Sequence, residues 1–325
     1  MKVAVVGAGV SGLACARLLG QAGVDVTVFD KAKRVGGRAA TRKIGSYIFD
    51  SGATSITPRG RTLEPVMMEQ LSTEGLIRIE RPIFTAVYGR IEPGDPLKNR
   101  IARYVYEGGI NVLAQRLAER LNVQLATQIE KIEQPRDGGV ALNGEVYDRA
   151  VLAVPLPTAQ KLLQGARDPR LVTASVYRPC LCVMLGFAVP FESPYHAILE
   201  PEQTHPLTWL SVETMKSPGR APEGHTALVA QMGPAYSRRN EKTEDERVIR
   251  DVLVDIRRLL GAKFETPEVS AVKRWRFSQP ESTISFAALN PPGRPIVVAG
   301  DGTTGGRIEL AYEAGALAAQ SILAG

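Results

Sequence analysis

Three glycines near the start of the chain have a spacing that suits a phosphate-binding loop. Gly7, Gly9 and Gly12 follow a short apolar run, and together with Val10 and Ser11 they form a loop that opens an apparent helix. Gly7 suits a tight turn, Gly9 lets the backbone approach a pyrophosphate, and Gly12 lets helix and strand pack closely. The first N–H groups of the helix would face the phosphates. The pattern therefore predicts a βαβ unit that binds a dinucleotide.

An acidic residue lies where this unit needs one. A second apolar run, residues 26–29, ends in Asp30. A carboxylate at this position can accept hydrogen bonds from ribose hydroxyls. Strand, glycine loop, helix and acid occur in the order of a dinucleotide fingerprint, which is more specific than the glycines alone.

A basic, glycine-containing segment follows the acid. It includes Lys31, Gly37 and Arg38, and it is followed by the run 49–53, which ends in Ala53. Arg38 lies on a loop that two glycines leave free to bend, so its guanidinium could neutralise a pyrophosphate from the side opposite the helix. The alternative is a basic surface loop with a glycine turn.

A second strand-to-helix glycine turn lies near the other end of the chain. The apolar run 295–299 leads into Gly300 and Asp301, and Arg307 and Ile308 then open an alanine-rich helix. Asp301 could bind ribityl hydroxyls, and the N–H groups around Arg307 and Ile308 could face a ring that gains negative charge on reduction. These features favour FAD over NAD as the bound dinucleotide.

The motifs together resemble the FAD-dependent amine oxidase superfamily over most of the chain. The resemblance rests on the fingerprint with its acid, the Gly-Gly-Arg of residues 36–38, the apolar run 151–155 and the Gly-Asp of residues 300–301. It implies an adenine contact from the backbone of Ile129. Some members hold flavin through a cysteine near the C-terminus, but no cysteine follows Cys182, so non-covalent FAD is expected.

Within the superfamily, the chain is similar to the renalases and their short bacterial relatives. The similar segments are 49–53, 217–220, 274–277 and 300–309. The resemblance implies oxidation of isomeric dihydronicotinamide dinucleotides, with oxygen as the acceptor and hydrogen peroxide as the product. The chain departs from the renalase pattern after Ala53 and over residues 212–215, which would face the substrate. An amine oxidase, a desaturase of the same fold and a non-catalytic flavoprotein therefore remain alternatives.

Catalytic residues are not identified by the sequence. The three histidines form no recognisable constellation, and a dihydropyridine gives up hydride without first losing a proton to a base. Trp209, Trp275 and Phe277 are candidates to line the pocket, although large aromatic residues on strands also belong to cores. Arg220, Arg274 and Arg276 could meet substrate phosphates or pair with surface acids.

The alternation of apolar patterns predicts an α/β fold in which an α+β substrate domain, built on a mixed or antiparallel sheet, is inserted into a Rossmann-like FAD-binding domain. The FAD-binding domain is expected to be discontinuous, over residues 1–55, 105–160 and 280–325, with the substrate domain at 56–104 and 161–279. Residues 62–76 have a helical pattern and residues 77–90 alternate like paired strands. Residues 243–246 form a capping box that predicts a helix to Leu260.

Composition limits the partners. The chain has 325 residues and a formal net charge of +6, but lysines and arginines are scattered without a basic run interleaved with aromatic residues, so nucleic acid is not an expected partner. No apolar run approaches a membrane span and no leader cleavage site is evident, so a cytoplasmic protein is expected. Three cysteines without metal-ligand spacing predict no metal site.

Overall fold

The computed structural model describes residues 1–60, 62–87, 89–170, 172 and 176–325. The strands are β1 (Lys2–Val6), β2 (Asp25–Phe29), β3 (Thr41–Ile44), β4 (Tyr47–Asp50), β5 (Leu76–Arg78), β6 (Ile83–Val87), β7 (Arg90–Pro93), β8 (Tyr104–Tyr106), β9 (Asn122–Gln124), β10 (Ile132–Glu133), β11 (Val140–Leu142), β12 (Glu145–Tyr147), β13 (Arg149–Leu152), β14 (Tyr177–Phe187), β15 (Ala197–Leu199), β16 (Leu207–Val212), β17 (Thr226–Met232), β18 (Val269–Pro280) and β19 (Ile296–Val298). The helices are α1 (Val10–Gln21), α2 (Leu63–Pro65), α3 (Pro96–Asn99), α4 (Asn111–Ala118), α5 (Leu156–Gly165), α6 (Glu213–Lys216), α7 (Pro234–Arg239), α8 (Asp245–Leu260), α9 (Phe286–Leu289), α10 (Asp301–Thr304) and α11 (Ile308–Leu323).

A five-stranded parallel sheet forms the first layer, in the order β19-β13-β1-β2-β9. Its central strand β1 is almost wholly apolar and buried, as expected of a parallel sheet covered on both faces. Helices α1, α4 and α11 contribute to the core on one face, and α5 with the antiparallel sheet β10-β11-β12 contributes to the core on the other. The predicted Rossmann-like α/β architecture is confirmed.

Close packing of α1 depends on two glycines. A Cβ added to Gly12 would lie 1.9 Å from the carbonyl oxygen of Gly7, and a Cβ added to Gly315 would lie 2.1 Å from the carbonyl oxygen of Ser11. The first contact lets α1 approach the loop that follows β1, and the second lets α11 approach α1. The two turns that the sequence analysis singled out therefore begin neighbouring helices.

A seven-stranded mixed sheet forms the second layer, in the order β18-β14-β17-β16-β15-β6-β7. Its pairs are antiparallel except for β15 with β6. Helix α8 packs on one face through Val248, Val252 and Ile256, which are fully buried. The other face receives the hairpin β3-β4, whose Tyr47 and Phe49 pack on this sheet. The hairpin thus links the first chain segment to the second layer.

The strands of the two large sheets can be placed on the predicted segments, while the domain boundaries themselves stay a prediction. The strands of the parallel sheet lie within 1–55, 105–160 and 280–325, whereas those of the mixed sheet lie within 56–104 and 161–279 apart from the final residue of β18. The structure describes only part of these segments, since positions 61, 88, 171 and 173–175 are outside the described residues.

Two local predictions need correction. The helix predicted from a capping box does end at Leu260, but it begins at Asp245 after Glu244, which provides no side-chain cap. The Thr243 hydroxyl instead donates to Asn240 Oδ1 at 3.1 Å, a local hydrogen bond that competes with capping. The helical pattern predicted over 62–76 forms only α2 and a π-helical turn at Val66–Gln70, and the chain then continues into strand β5.

Candidate functional site

The glycine loop after β1 leaves the start of α1 open. Gly7 has a φ of +110°, and a Cβ there would lie 2.5 Å from the Ala153 carbonyl oxygen. Gly9 is the N-cap of α1 and provides no side-chain cap, and a Cβ added to it would meet no heavy atom of the described part of the chain within 4 Å. Ser11 Oγ is buried and has no hydrogen-bond partner among the described residues. Val10 is the first residue of the helix, so open backbone and an unpartnered hydroxyl lie together at its N-terminus.

Asp30 holds the glycine loop to the end of β2. Its Oδ2 accepts a hydrogen bond from the Ala8 amide at 2.7 Å, and its Oδ1 accepts one from the Ala32 amide, also at 2.7 Å. The half-buried carboxylate keeps further acceptor capacity for a ribose hydroxyl. Lys31, next to it, is exposed. Ile129 is buried in the same core cluster as Phe29 of β2, so its position on the adenine side stays a prediction.

The Gly-Gly-Arg segment packs directly on the glycine loop. Gly36 forms a parallel bridge with Gly9, and a Cβ added to Gly37 would lie 3.2 Å from Gly9 Cα. The Gly37 φ of +56° is in the left-handed region that glycine tolerates best. This packing brings the next residue, Arg38, to the edge of the loop.

Arg38 and Asp301 form a bidentate ion pair. Nη1 of Arg38 donates to Asp301 Oδ2 at 2.5 Å and Nη2 donates to Oδ1 at 2.7 Å. The aspartate side chain is 4 % exposed and the arginine side chain 30 %. Nη1 also donates to the Phe277 carbonyl oxygen at 3.3 Å. Two residues that the sequence analysis assigned to opposite halves of a cofactor therefore lie in direct contact.

Tyr177 completes this cluster and was missed by the sequence analysis. Its hydroxyl donates to Asp301 Oδ1 at 3.0 Å, and the Arg38 guanidinium carbon lies 5.8 Å from its ring centroid. Burial, followed by the negative charge of Asp301, raises the pKa of the Tyr177 hydroxyl. Tyr177 also packs edge-on against Phe277, with ring centroids 5.7 Å apart. A tyrosine at the start of an apolar strand carries no local signal of these long-range contacts.

The second glycine turn presents another uncapped helix. Gly300, with a φ of +102°, precedes α10, and Arg307 precedes α11 without capping it by its side chain. Ile308 is the first residue of α11 and is 9 % exposed. Glu309 accepts hydrogen bonds from the Arg59 and Gly60 amides at 2.7 and 2.8 Å. The start of α11 is thereby fixed against the loop that follows Ala53.

The three aromatic pocket candidates occupy the mixed sheet. Trp209 lies opposite Gln231, whereas Trp275 lies opposite Cys180. The Trp275 indole N–H donates to the Ser51 carbonyl oxygen at 2.6 Å. Trp209 Nε1 is buried without a hydrogen-bond partner among the described residues. Phe277 packs on Tyr177, and its carbonyl oxygen accepts from Arg38. Trp275 and Phe277 therefore both contact segments that carry predicted cofactor residues, Ala53 and Arg38.

The arginine predictions separate into three outcomes. Arg274 pairs with Asp245 at the surface and also donates to the Glu241 carbonyl oxygen. The Arg276 guanidinium carbon lies 5.3 Å from the Phe277 ring centroid. Arg220 is fully buried and pairs with Asp50 at 3.1 Å, so the prediction of a surface or phosphate-binding arginine was wrong there. Its partners are distant in sequence, which is why no local pattern indicated them.

The histidines have partners that account for them. His196 is buried, and its Nδ1 lies 2.5 Å from the Arg81 carbonyl oxygen. Burial lowers the pKa of His196 to about 4, so its ring is neutral near pH 7. Nε2 of His205 lies 3.6 Å from Asp255 and Nε2 of His225 lies 3.7 Å from Glu268. These contacts give each histidine a structural partner, in keeping with the absence of a catalytic constellation in the sequence.

Metal and thiol chemistry have little support in the part of the chain that the structure describes. No group of three His, Cys, Asp or Glu residues there could hold a metal ion. Cys15, Cys180 and Cys182 are free thiols, and burial raises the pKa of Cys15 and Cys180 to about 12. Over the same residues, no helix combines the length and apolar character that a membrane crossing needs.

Two family profiles match the chain. The profile for flavin-containing amine oxidoreductases matches residues 98–323, and the profile for an NAD(P)-binding Rossmann-like domain matches residues 5–69. The first match covers most of the chain, and the second covers the glycine loop, Asp30 and Arg38.

Two named proteins are similar in sequence to parts of this chain. The chain is 54% identical over 56 residues to a protein named "Possible lysine-specific histone demethylase 1" from Drosophila melanogaster, which is 17% of this chain and 6% of that protein. It is 36% identical over 107 residues to 4,4'-diapophytoene desaturase from Staphylococcus aureus strain Newman, which is 33% of this chain and 17% of the desaturase. The chain thus spans under a fifth of these relatives.

A solved structure matches the whole chain. Cyclohexylamine oxidase from Brevibacterium oxydans IH-35A superposes with a TM-score of 0.77 over 99% of this chain and 98% of that one, at 16% identity. At such low identity the likeness establishes the fold alone.

Proposed function

The chain belongs to the family of flavin-containing amine oxidoreductases, and on that basis we propose that it is an FAD-dependent oxidase of the renalase-like type. Its substrate would be a small hydride donor, such as an isomeric dihydronicotinamide dinucleotide, with oxygen as the final acceptor. FAD held at this site would supply the hydride acceptor and the route for electrons to oxygen, with hydrogen peroxide as the product. The chain supplies binding, orientation and a suitable electrostatic environment.

The observation that carries the proposal is the contact between the Gly-Gly-Arg segment and the second glycine turn, made by Arg38 and Asp301. The ion pair joins the segment after β2 to the segment after β19. On either side, α1 and α11 begin without side-chain caps. Helix N-termini favour negative charge, so this arrangement suits a ligand that places a pyrophosphate at one helix start and a reducible, anion-forming ring at the other.

The residues at this site fit FAD. The open face of Gly9 and the unpartnered Ser11 hydroxyl are features that a bound pyrophosphate would explain. We propose that the cofactor is held, without a covalent link, by Gly7, Gly9, Val10, Ser11, Gly12, Asp30, Lys31, Gly37, Arg38, Ala53, Ile129, Gly300, Asp301, Arg307 and Ile308. Arg38 would exchange part of its bond with Asp301 for a phosphate oxygen, because one guanidinium has five donors.

Aromatic side chains are better candidates for substrate contacts than any residue that could act as a catalytic base. Trp275 and Phe277 lie beside the Arg38–Asp301 pair and the 51–54 loop through the contacts described above. We propose that they orient a flat nicotinamide-like ring by stacking, and that Trp209 lines the same pocket. A hydride donor of this kind needs no prior proton transfer, which agrees with histidines that are engaged elsewhere.

A second candidate function is the oxidation of an amine or the desaturation of a hydrocarbon. It is favoured by the family profile and by the partial identity to 4,4'-diapophytoene desaturase. A flavoprotein in which FAD is only structural is the third reading, and it differs because no small molecule would then reduce the flavin rapidly.

Anaerobic stopped-flow mixing tests these readings together. The FAD-loaded protein is mixed with 2- and 6-dihydro isomers of NAD(P), with the ordinary 4-dihydro form, and with amines such as putrescine and cyclohexylamine, while flavin absorbance is followed. We expect the 2- or 6-dihydro isomers to bleach the flavin fastest. Faster bleaching by an amine would assign the amine oxidase function, and slow bleaching by every donor would indicate a non-catalytic flavoprotein.

A further inference from the structure

The 51–54 loop is held by side chains from the mixed sheet and the helix that follows β16. Trp275 Nε1 donates to the Ser51 carbonyl oxygen at 2.6 Å, Gln231 Nε2 donates to the Gly52 carbonyl oxygen at 2.7 Å, and Lys216 Nζ donates to the Thr54 carbonyl oxygen at 2.9 Å. Three carbonyl groups of one short loop are therefore satisfied by the layer that carries the pocket candidates.

The same loop contacts the Gly-Gly-Arg segment through its other side. The Ser51 amide donates to the Ala40 carbonyl oxygen at 2.8 Å, and the Ala53 amide donates to the Arg38 carbonyl oxygen at 2.9 Å. A Cβ added to Gly52 would lie 2.0 Å from that Arg38 oxygen. The loop thus lies between the segment that presents Arg38 and the mixed sheet, and it is hydrogen-bonded to both.

Lys216 is also one of four charged residues that are wholly buried beside the loop. Its Nζ lies 2.9 Å from Asp50 Oδ2 and 2.8 Å from Glu213 Oε1. Arg220 lies 3.1 Å from Asp50 and 3.6 Å from Glu213. All four side chains have 0% exposure. Two cations and two anions make this buried quartet electroneutral.

A quartet of this kind is an unexpected way to stabilise a core. Removing charges from water is costly, and buried ion pairs are often replaceable by apolar residues without loss of stability. The quartet joins Asp50, at the end of β4, to α6 and the turn that ends at Arg220. It therefore fixes the position of the 51–54 loop relative to the mixed sheet, which apolar packing would do less specifically.

We propose that Lys216, Gln231 and Trp275 are positioning residues that set the 51–54 loop against the FAD site, with Lys216 as the charged member that ties both ends of the loop. This inference rests on the proposed function for the identity of the cofactor. It assigns no contact between Lys216 and the reacting atoms.

The experiment separates charge balance from loop positioning. Lys216→Met removes one cation and leaves the quartet with an excess negative charge, so the apoprotein should lose thermal stability. Adding Glu213→Gln restores neutrality with Asp50 and Arg220, but its one amide oxygen can replace only one of the two acceptors that Glu213 now offers, to the Ser211 hydroxyl at 2.8 Å and to the Asp50 amide at 3.2 Å. Stability should therefore recover in part in the double variant, while the donor to Thr54 stays absent.

FAD binding is the readout that a purely structural role would not move. In the double variant we expect FAD to dissociate at least roughly tenfold more readily, as for loss of a hydrogen bond to a charged group. We also expect a changed absorption spectrum of the bound flavin and faster limited proteolysis of the apoprotein near the loop. Lys98→Met is the matched control, because Lys98 pairs with Asp95 while 74% exposed.

Recovered stability together with wild-type FAD affinity and an unchanged flavin spectrum would overturn the inference, since Lys216 would then only balance charge. If both Lys216 variants fail to fold, Gln231→Leu decides the matter, because it removes an uncharged donor. Weaker FAD binding in that variant supports the inference, and unchanged binding overturns it. A wild-type protein that binds no FAD would instead contradict the proposed function.

Discussion

Arg38 and Asp301 are 263 positions apart, yet two N–H groups of the arginine donate to the two carboxylate oxygens of the aspartate at 2.5 and 2.7 Å. The pair connects the turn after β2 with the turn after β19 in the same parallel sheet. It also brings Tyr177 of the mixed sheet into the cluster. The two contacts of Asp301 thereby link both turns of the FAD-binding layer to the layer that would bind substrate.

Gly9 and Gly12 give a matched pair of glycine-to-alanine variants. Gly9→Ala adds a methyl group to a face where none of the described residues has a heavy atom within 4 Å, so the apoprotein should keep nearly its normal melting temperature. The methyl group would occupy the approach of the pyrophosphate, so FAD binding should fall sharply. Gly12→Ala should instead destabilise the fold, since its Cβ would lie 1.9 Å from the Gly7 oxygen. Normal FAD affinity in folded Gly9→Ala would argue against this loop as the phosphate site.

The bound flavin should separate from the polypeptide on acid precipitation. Cys15 and Cys182 are buried and Cys180 is half-buried, and burial raises the pKa of the Cys180 thiol to about 12, which disfavours the reactive thiolate. We expect the yellow colour in the supernatant after precipitation and centrifugation. Flavin that sediments with the denatured chain would show a covalent link.

Acid should destabilise the protein through His196. Burial lowers the pKa of His196 to about 4 from an ordinary value of 6.5. Between these values the unfolded chain takes up a proton that the folded chain refuses, so the free energy of unfolding should fall as pH falls from 6.5 towards 4. Urea unfolding at several pH values measures this slope. His196→Gln should flatten it, and a slope equal to that of the wild type would exclude His196 as the cause.

Trp275 should affect flavin reduction more than folding. Trp275→Ala removes both the stacking surface and the donor to Ser51, so hydride transfer to the flavin should slow in an anaerobic single turnover. Trp275 is only partly buried, and we expect the circular dichroism spectrum to be retained. Loss of the folded state would favour the alternative that Trp275 is simply a core residue.

The sequence predicts local patterns of this site better than its long-range contacts. The glycine loop, Asp30 and the two strand-to-helix turns follow from residue spacing, and the alternation of apolar runs identifies both sheets. The Tyr177 contact and the buried Asp50–Lys216 pair could not be predicted, because their partners are 124 and 166 positions apart and leave no periodic signal. The predicted capping box does not form for a different reason, because the Thr243 hydroxyl donates to the nearby Asn240 side chain instead of capping the helix.

Arg38 also provides a direct test of the Gly-Gly-Arg segment. Arg38→Ala should weaken FAD binding by about 1.5–3 kcal/mol, the usual contribution of a hydrogen bond to a charged group. Arg274→Ala is the matched control, because Arg274 pairs with Asp245 at the surface. Equal FAD affinity in both variants would show that the Gly-Gly-Arg segment is only a structural turn and does not contact FAD.

The FAD dissociation constant of Asp301→Ala tests the central claim most directly, because the N-terminal glycine loop alone could bind NAD as well as FAD. Folding is first checked by circular dichroism, and FAD binding is then titrated by flavin fluorescence beside the wild type. We predict that the folded variant loses FAD, or retains it with a shifted reduction potential. Full retention with an unchanged potential would contradict a site that holds FAD from both ends of the chain.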